Sequence, residues 1–125
     1  MRATRGRAAT GIRPRFKVWL SKGDTDGVFG GGKWRLLEAI DREGSLLAAA
    51  ASLGISYRKA WGDLRKAERD LGVTFLERRR GGRDGGESRL TAAGKLWLKE
   101  YRRFHDKVER AVEQAFKVWA ERIDA

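Results

Sequence analysis

The stretch Gly44–Gly94, GSLLAAAASLGISYRKAWGDLRKAERDLGVTFLERRRGGRDGGESRLTAAG, decides the fold of this chain. It begins with a predicted helix of small residues, Ser45–Leu53, which ends at Gly54, and a long basic helix, Tyr57–Leu71, follows. A helix rich in alanine can lie close against its neighbour, and Gly54 allows the tight turn between the two helices. This order of signals predicts a helix-turn-helix.

A wing is predicted after the second helix, because a short β-like run, a Gly/Arg loop and a second short run into Leu90-Thr91 follow one another. The loop is too rich in glycine to form part of a core, and it is too basic to be a linker without a binding role. Its arginines are predicted to contact DNA phosphates, and a solvated hairpin tip is the alternative interpretation. The four arginines are Arg78, Arg79, Arg80 and Arg83.

The second helix of the motif has an apolar stripe, since Ala60, Leu64, Ala67 and Leu71 recur at spacings of a helical face. Basic residues occupy the opposite side. A helix-turn-helix followed by a wing places such a face in a DNA major groove, whereas a solvated charged face is the alternative. The predicted DNA-binding residues here are Ser56, Tyr57, Arg58, Lys59, Gly62, Arg65, Lys66 and Arg69.

Three of these residues have specific interpretations. Arg58, near the helix N-terminus, can bind guanine O6 and N7 bidentately. Ser56 is equally consistent with a base or phosphate contact and with the N-cap of the helix. Gly62 is costly in a helix interior, so either close approach to DNA or a tight helix crossing explains it.

Composition agrees with a nucleic-acid partner. The chain has 125 residues, a net charge of +11 and a pI near 10.7, which indicates one small domain with affinity for polyanions. It has no cysteine, so disulfides and thiolate metal sites are excluded. Neither a secretory signal nor a transmembrane run is present in the sequence. We expect a soluble cytoplasmic, nucleoid-associated protein that does not engage a membrane.

The sequence predicts three segments before the helix-turn-helix. Residues 1–15 form a basic disordered arm, in which Arg2, Arg5 and Arg7 are further phosphate contacts. A β-hairpin follows, with strands at Phe16–Leu20 and Val28-Phe29 and a turn at Ser21–Gly27. Gly30–Lys33 is predicted as a hinge into a helix that ends at Gly44. The DNA-binding domain thus covers residues 16–90.

Residues 91–125 are predicted to form one long helix with Thr91 as its N-cap. Its apolar side is wide, and about 30 residues make a rod on the order of 45 Å long. Packing against its own domain accounts for Leu96, Trp97 and Tyr101, whereas homodimerisation is predicted for the remainder. The predicted dimerisation residues are Phe104, Val108, Val112, Ala115, Phe116, Trp119 and Ile123.

Catalysis is not expected. The chain shows no pairing of a nucleophile with a base. His105 is its only histidine, and the sequence suggests no second ligand for it at metal spacing. We therefore expect a protein that is not an enzyme and that has no cofactor, no metal site and no catalytic residue.

A family resemblance rests on three motifs in order: FGGGKWRLLEAIDREGS (Phe29–Ser45), SYRKAW (Ser56–Trp61) and GGRDGGESRLTAAG (Gly81–Gly94). Together with the spacing between them, they resemble the LysR-type winged helix-turn-helix and, more specifically, the N-terminal DNA-binding domain of the ModE family of molybdate-responsive transcriptional regulators. The resemblance implies a hairpin before the first helix, a glycine-rich wing and a long dimerisation helix.

Two departures limit what the resemblance implies. Glu87 stands where the family's wing usually has a further glycine, and the sequence ends at Ala125, without the family's molybdate-binding domains. The expectation is therefore DNA binding and dimerisation, but no response to molybdate.

The fold class expected is α+β, mainly α: a winged helix-turn-helix with an N-terminal β-hairpin and a long C-terminal helix. The expected function is a sequence-specific transcriptional regulator that binds double-stranded DNA as a homodimer on a palindromic site. An architectural, nucleoid-type DNA binder is one alternative. An interaction protein that docks a separate sensor subunit is the other.

Overall fold

The computed structural model describes residues 9–78 and 88–125. The described elements are two β-hairpins and four helices, which confirms the predicted α+β, mainly α, class. In chain order they are β1 (Trp19–Lys22), β2 (Thr25–Gly30), α1 (Gly31–Glu43), α2 (Leu46–Leu53), α3 (Tyr57–Leu71), β3 (Leu76–Arg78), β4 (Ser88–Leu90) and α4 (Ala92–Asp124). Residues 18–101 form one compact unit; residues 102–125 belong to a second, with the described residues up to Lys17.

The N-terminal hairpin exists, but its predicted boundaries were wrong. Strands β1 and β2 pair antiparallel with Leu20 opposite Phe29, and the turn is confined to the residues between Lys22 and Thr25. Polar side chains hold the segment extended, since the Ser21 hydroxyl donates to the Asp26 carboxylate at 2.6 Å. The Trp19 indole N–H donates to the same oxygen at 3.3 Å. Residues that resemble a turn in sequence are therefore paired strand residues.

The predicted hinge at Gly30–Lys33 was also wrong. Strand β2 continues through Gly30 and α1 begins at Gly31, so no linker separates them. A Cβ on Gly30 would lie 2.9 Å from the Cβ of Trp19. Glycine at this position thus permits close approach of the two strands rather than bending between elements.

The helix-turn-helix was predicted nearly to the residue. Ser45 caps α2, its hydroxyl accepting from the Ala48 backbone N–H at 3.0 Å, and Gly54 ends that helix with φ of 71°. This left-handed conformation suits glycine. Helix α3 has the predicted bounds, and its stripe residues Ala60, Leu64 and Ala67 are buried.

An aromatic cluster joins the hairpin to the start of α4. The ring of Phe29 packs 5.9 Å from Phe75, 5.2 Å from Trp97 and 5.1 Å from Tyr101, measured between centroids. The Tyr101 hydroxyl donates to the Val18 carbonyl at 2.9 Å. The predicted packing of Trp97 and Tyr101 on the core is confirmed, whereas Leu96 remains 56% exposed, so its predicted core role was wrong.

Thr91 caps α4 as predicted and also ties the helix to the core. Its hydroxyl accepts from the Gly94 backbone N–H at 2.9 Å and donates to the Thr74 carbonyl at 2.6 Å. A Cβ on Gly94 would lie 2.5 Å from the Phe75 carbonyl oxygen. The first turn of α4 therefore contacts the backbone before β3 directly.

Gly94→Ala is expected to lower the free energy of unfolding by about 1–3 kcal/mol, because the new methyl group forces the helix and the Phe75 carbonyl apart. Gly62→Ala is the matched control. Gly62 is exposed with open space around it, so alanine there should raise the free energy of unfolding by up to about 1 kcal/mol. Urea denaturation of both variants measures the difference. Equal stabilities would contradict the close contact at Gly94.

Candidate nucleic-acid interface

The N-terminus of α3 is organised by Ser56. Its hydroxyl accepts from the Lys59 backbone N–H at 3.0 Å, and its backbone is extended. Of the two roles that the sequence left open for Ser56, the structure shows the N-cap. The serine thereby fixes where the helix begins, and Tyr57 and Arg58 become its first two residues.

The side of α3 away from the buried stripe is exposed and basic. Arg58, Gly62 and Arg69 are exposed, whereas Arg65 is half-buried. Among the described residues, no heavy atom outside the chain neighbours and the backbone of α3 itself lies within 4 Å of where a Gly62 Cβ would stand, so the tight helix crossing considered for this glycine is wrong. The remaining interpretation of Gly62 is close approach of a ligand to the helix backbone.

Two lysines flank this face in ion pairs with aspartates one turn away. Lys59 Nζ lies 3.0 Å from Asp63 Oδ2, and Lys66 Nζ lies 2.8 Å from Asp70 Oδ2. The hydrogen bond from Lys66 lowers the pKa of the Asp70 carboxyl. Exposed pairs of this kind contribute little to stability, so a phosphate group can displace the aspartate at small cost.

The three arginines of the face differ in their surroundings. Within residues 9–78 and 88–125, no carboxylate forms an ion pair with Arg58 or Arg69. Arg65 Nη1 lies 3.6 Å from Glu68 Oε1, and its guanidinium carbon lies 5.3 Å from the centre of the Trp61 ring. Arg58 and Arg69 therefore offer their charge outward, while Arg65 is oriented by two neighbours.

Glu68 was missed by the sequence analysis. Its side chain is buried and accepts hydrogen bonds from the backbone N–H groups of Phe75 at 2.8 Å and Leu76 at 3.3 Å. It thereby connects α3 to the start of the wing. A signal was present, because residue 68 lies four positions after Leu64 on the buried side of the helix.

The wing consists of β3 and β4, paired antiparallel with Leu76 opposite Leu90 and Arg78 opposite Ser88. This confirms the two predicted runs on either side of the Gly/Arg loop. Arg78 is placed in β3, but its side chain is not described. The other predicted phosphate contacts lie outside the described residues: Arg79, Arg80 and Arg83 in the loop, and Arg2, Arg5 and Arg7 in the arm.

All seven predicted dimerisation residues lie in the second unit, along one face of α4. Phe104, Trp119 and Ile123 are 40%, 46% and 49% exposed, and Val108, Val112 and Phe116 are half-buried along the same helix. Ala115, also predicted for this face, is exposed. The rings of Phe116 and Trp119 pack 5.6 Å apart. This face has the spacing of a helix–helix seam.

His105 has acidic neighbours that the sequence analysis did not recognise. One ligand atom each from His105, Asp106 and Glu109 lie within 4.8 Å of one another, so the expectation of no second ligand at metal spacing was wrong. The imidazole also packs 5.1 Å from the Phe16 ring. Acidic groups at an exposed helix surface are common without a metal, so this grouping alone does not define a site.

No helix in the described part of the chain combines the length and the apolar character needed to cross a membrane.

Comparison of the sequence with protein families finds a match over residues 32–95 to the bacterial regulatory helix-turn-helix proteins of the lysR family. The chain is 41% identical over 69 residues to the molybdenum-pterin-binding protein MopA of Rhodobacter capsulatus, covering 55% of this chain and 26% of that protein. It is 36% identical over 84 residues to the transcriptional regulator ModE of Haemophilus influenzae, covering 67% and 31%. These matches confirm the resemblance to the LysR-type and ModE proteins.

Among solved structures, the chain is similar to the DNA-binding domain of CbnR in complex with DNA, with a TM-score of 0.57 and 29% identity over 70% of this chain and 94% of that one. It is also similar to full-length CbnR bound to its target DNA, with a TM-score of 0.55 and 28% identity over 67% of this chain and 27% of that one.

The family is one of regulatory proteins rather than enzymes, as the sequence analysis expected. The chain spans about a quarter to a third of the curated relatives' length.

Proposed function

This chain belongs to the lysR family of bacterial regulatory helix-turn-helix proteins, and we propose that it is a transcription regulator that binds double-stranded DNA sequence-specifically. The observation that carries the proposal is the outward basic face of α3, on which Arg58 and Arg69 are exposed beside the open backbone at Gly62. Unpaired arginines on a recognition helix can donate two hydrogen bonds to one guanine. Such a protein acts at the nucleoid, in the cytoplasm.

The proposed contacts divide by the chemistry of their surroundings. Arg58 and Tyr57, in the first turn of α3, approach base edges. Lys59 and Lys66 exchange their aspartate partners for phosphates, and Arg69 contacts the backbone at the far end of the helix. Arg65 is held by Trp61 and Glu68, and its remaining N–H groups reach a phosphate. Ser56 contributes by setting the position of the helix start.

Arg58→Ala is expected to weaken binding to a specific site by about 1–3 kcal/mol and to relax base preference at one position in each half-site. Fluorescence anisotropy gives the affinity, and selection from random duplexes gives the preference. Arg58→Lys is the matched control, since it keeps the charge but not the bidentate fork. The Arg58→Lys variant should retain the wild-type affinity for random DNA and lose the base preference at that position of each half-site.

Two outcomes of that experiment would contradict the proposal. If wild type and Arg58→Ala select the same sequences with the same affinity, Arg58 does not contact a base. If the wild-type protein binds all duplexes equally, with only the steep salt dependence of phosphate contacts, the protein is an architectural DNA binder rather than a regulator with an operator.

We further propose that the protein acts as a homodimer through residues 91–125. The support is the face on α4, where Phe104, Trp119 and Ile123 leave 40–49% of their surface exposed. An apolar face of this kind on a single helix is normally covered by another helix. A two-fold dimer presents two recognition helices, and the proposed operator is therefore palindromic.

Of the two curated relatives described above, MopA of Rhodobacter capsulatus has a name that refers to molybdenum. The aligned segments cover only 26–31% of those proteins. Within this segment we propose that the function is DNA binding.

A further inference from the structure

Trp61 is an exposed aromatic residue on the proposed DNA-binding face, where the Arg65 guanidinium lies over its ring. It lies one helical turn after Tyr57, and the two side chains are 40% and 38% exposed. A single exposed apolar side chain is ordinary. Two aromatic rings a turn apart, beside Arg58 in the first turns of a recognition helix, form an apolar surface within an otherwise basic face.

The Trp61 ring is held in place by a chain of contacts that leads into the core. The Arg65 guanidinium carbon lies 5.3 Å from the ring centre, a distance within the range of cation–π attraction. Arg65 in turn pairs with Glu68 at 3.6 Å, and buried Glu68 accepts from the Phe75 and Leu76 backbone amides. The indole is therefore oriented before any ligand arrives, which lowers the entropy cost of using it in binding.

The helix backbone next to Trp61 is not covered by another element. Gly62 follows Trp61 directly, and among the described residues no heavy atom outside its chain neighbours and its own helix backbone lies within 4 Å of its absent Cβ. A base edge can therefore approach the helix backbone at this point and contact the indole edge at the same time.

The major groove offers one apolar group to such a ring, the C5 methyl of thymine. We propose that Trp61 is a specificity-determining residue that packs its indole against a thymine methyl group in each half-site. The proposal rests on the proposed function of sequence-specific DNA binding. It adds a preference for thymine at a position that Arg58, a hydrogen-bond donor suited to guanine, does not read.

The test is a double-mutant cycle between protein and DNA. A preferred duplex is first selected with the wild-type protein, and each thymine is then replaced singly by deoxyuracil, which removes only the methyl group. Wild type should lose about fourfold in affinity at one thymine per half-site, the equilibrium factor for burying one methyl group. Trp61→Ala should bind the parent duplex more weakly and show no penalty at that thymine.

Controls separate this contact from general effects. Leu96→Ala removes another exposed apolar side chain, 56% exposed, and should keep the wild-type uracil profile. Circular dichroism and the melting temperature verify that Trp61→Ala remains folded, and Trp61→Phe provides a second variant with a smaller ring. If wild type binds specifically but Trp61→Ala keeps the same penalty at every thymine, the contact is wrong and the proposed function stands. If wild type shows no preferred duplex, both are wrong.

Discussion

Phe116→Asp is expected to convert the protein to a monomer and to lower affinity for a palindromic duplex by a factor on the order of 100 or more. Phe116 is half-buried on the apolar face of α4, where its ring packs 5.6 Å from that of Trp119. In the proposed dimer the partner's helix covers this pair of rings. A carboxylate placed there would have to lose its water without gaining a cationic partner, which is costly.

The loss of DNA affinity follows from the loss of the dimer. Two linked recognition helices bind two half-sites with an effective local concentration that a monomer lacks. The single half-site contact of a monomer should therefore be retained. Affinity for a duplex with one half-site is expected to be the same for Phe116→Asp and wild type.

Sedimentation equilibrium and anisotropy measure the two parts of this prediction. Gln114→Asp is the matched control: it lies two residues away on the exposed opposite side of α4, and it introduces the same residue with the same change in charge. That variant should stay dimeric and bind as wild type does. A wild-type protein that sediments as a monomer at tens of micromolar would overturn the dimer and the palindromic site together.

Glu68→Ala is expected to lower the free energy of unfolding by about 3 kcal/mol. The carboxylate accepts from two backbone N–H groups, those of Phe75 and Leu76, and its removal leaves both amides buried without their acceptor. Each such group costs about 1–3 kcal/mol. Since the contact joins the end of α3 to the start of β3, the wing strand should also become less protected from hydrogen exchange.

Two further variants calibrate this effect. Glu68→Gln keeps one acceptor oxygen, so its free energy of unfolding should lie between those of Glu68→Ala and wild type. Glu113→Ala removes a glutamate that is exposed on α4, and its free energy of unfolding should change by less than about 0.5 kcal/mol. Should Glu68→Ala prove as stable as Glu113→Ala in urea denaturation, the buried carboxylate is not a structural contact.

Much of the architecture is determined by local signals in the sequence. The buried stripe of α3 has a period of a helical face, and the structure buries Ala60, Leu64 and Ala67. The cap at Thr91 is a small hydroxyl residue placed where the following backbone N–H groups lack a partner. These features depend only on neighbours within a few residues, so pattern and capping chemistry were sufficient to predict them.

Which residues are bonded or packed against another element could be decided only from the tertiary structure. Ser21 and Asp26 have turn chemistry in sequence, but they bond across a hairpin, so the strands extend through them. Gly94 resembles an ordinary helix glycine until the Phe75 carbonyl is found 2.5 Å from its absent Cβ. Glu68 and Arg65 have the composition of a solvated helix face, yet the first is buried and the second is oriented by it. Hydrophobic periodicity assigns each residue to a side of its own helix, but the bonding partner of a polar group comes from a separate element, and only the packed chain brings the two together.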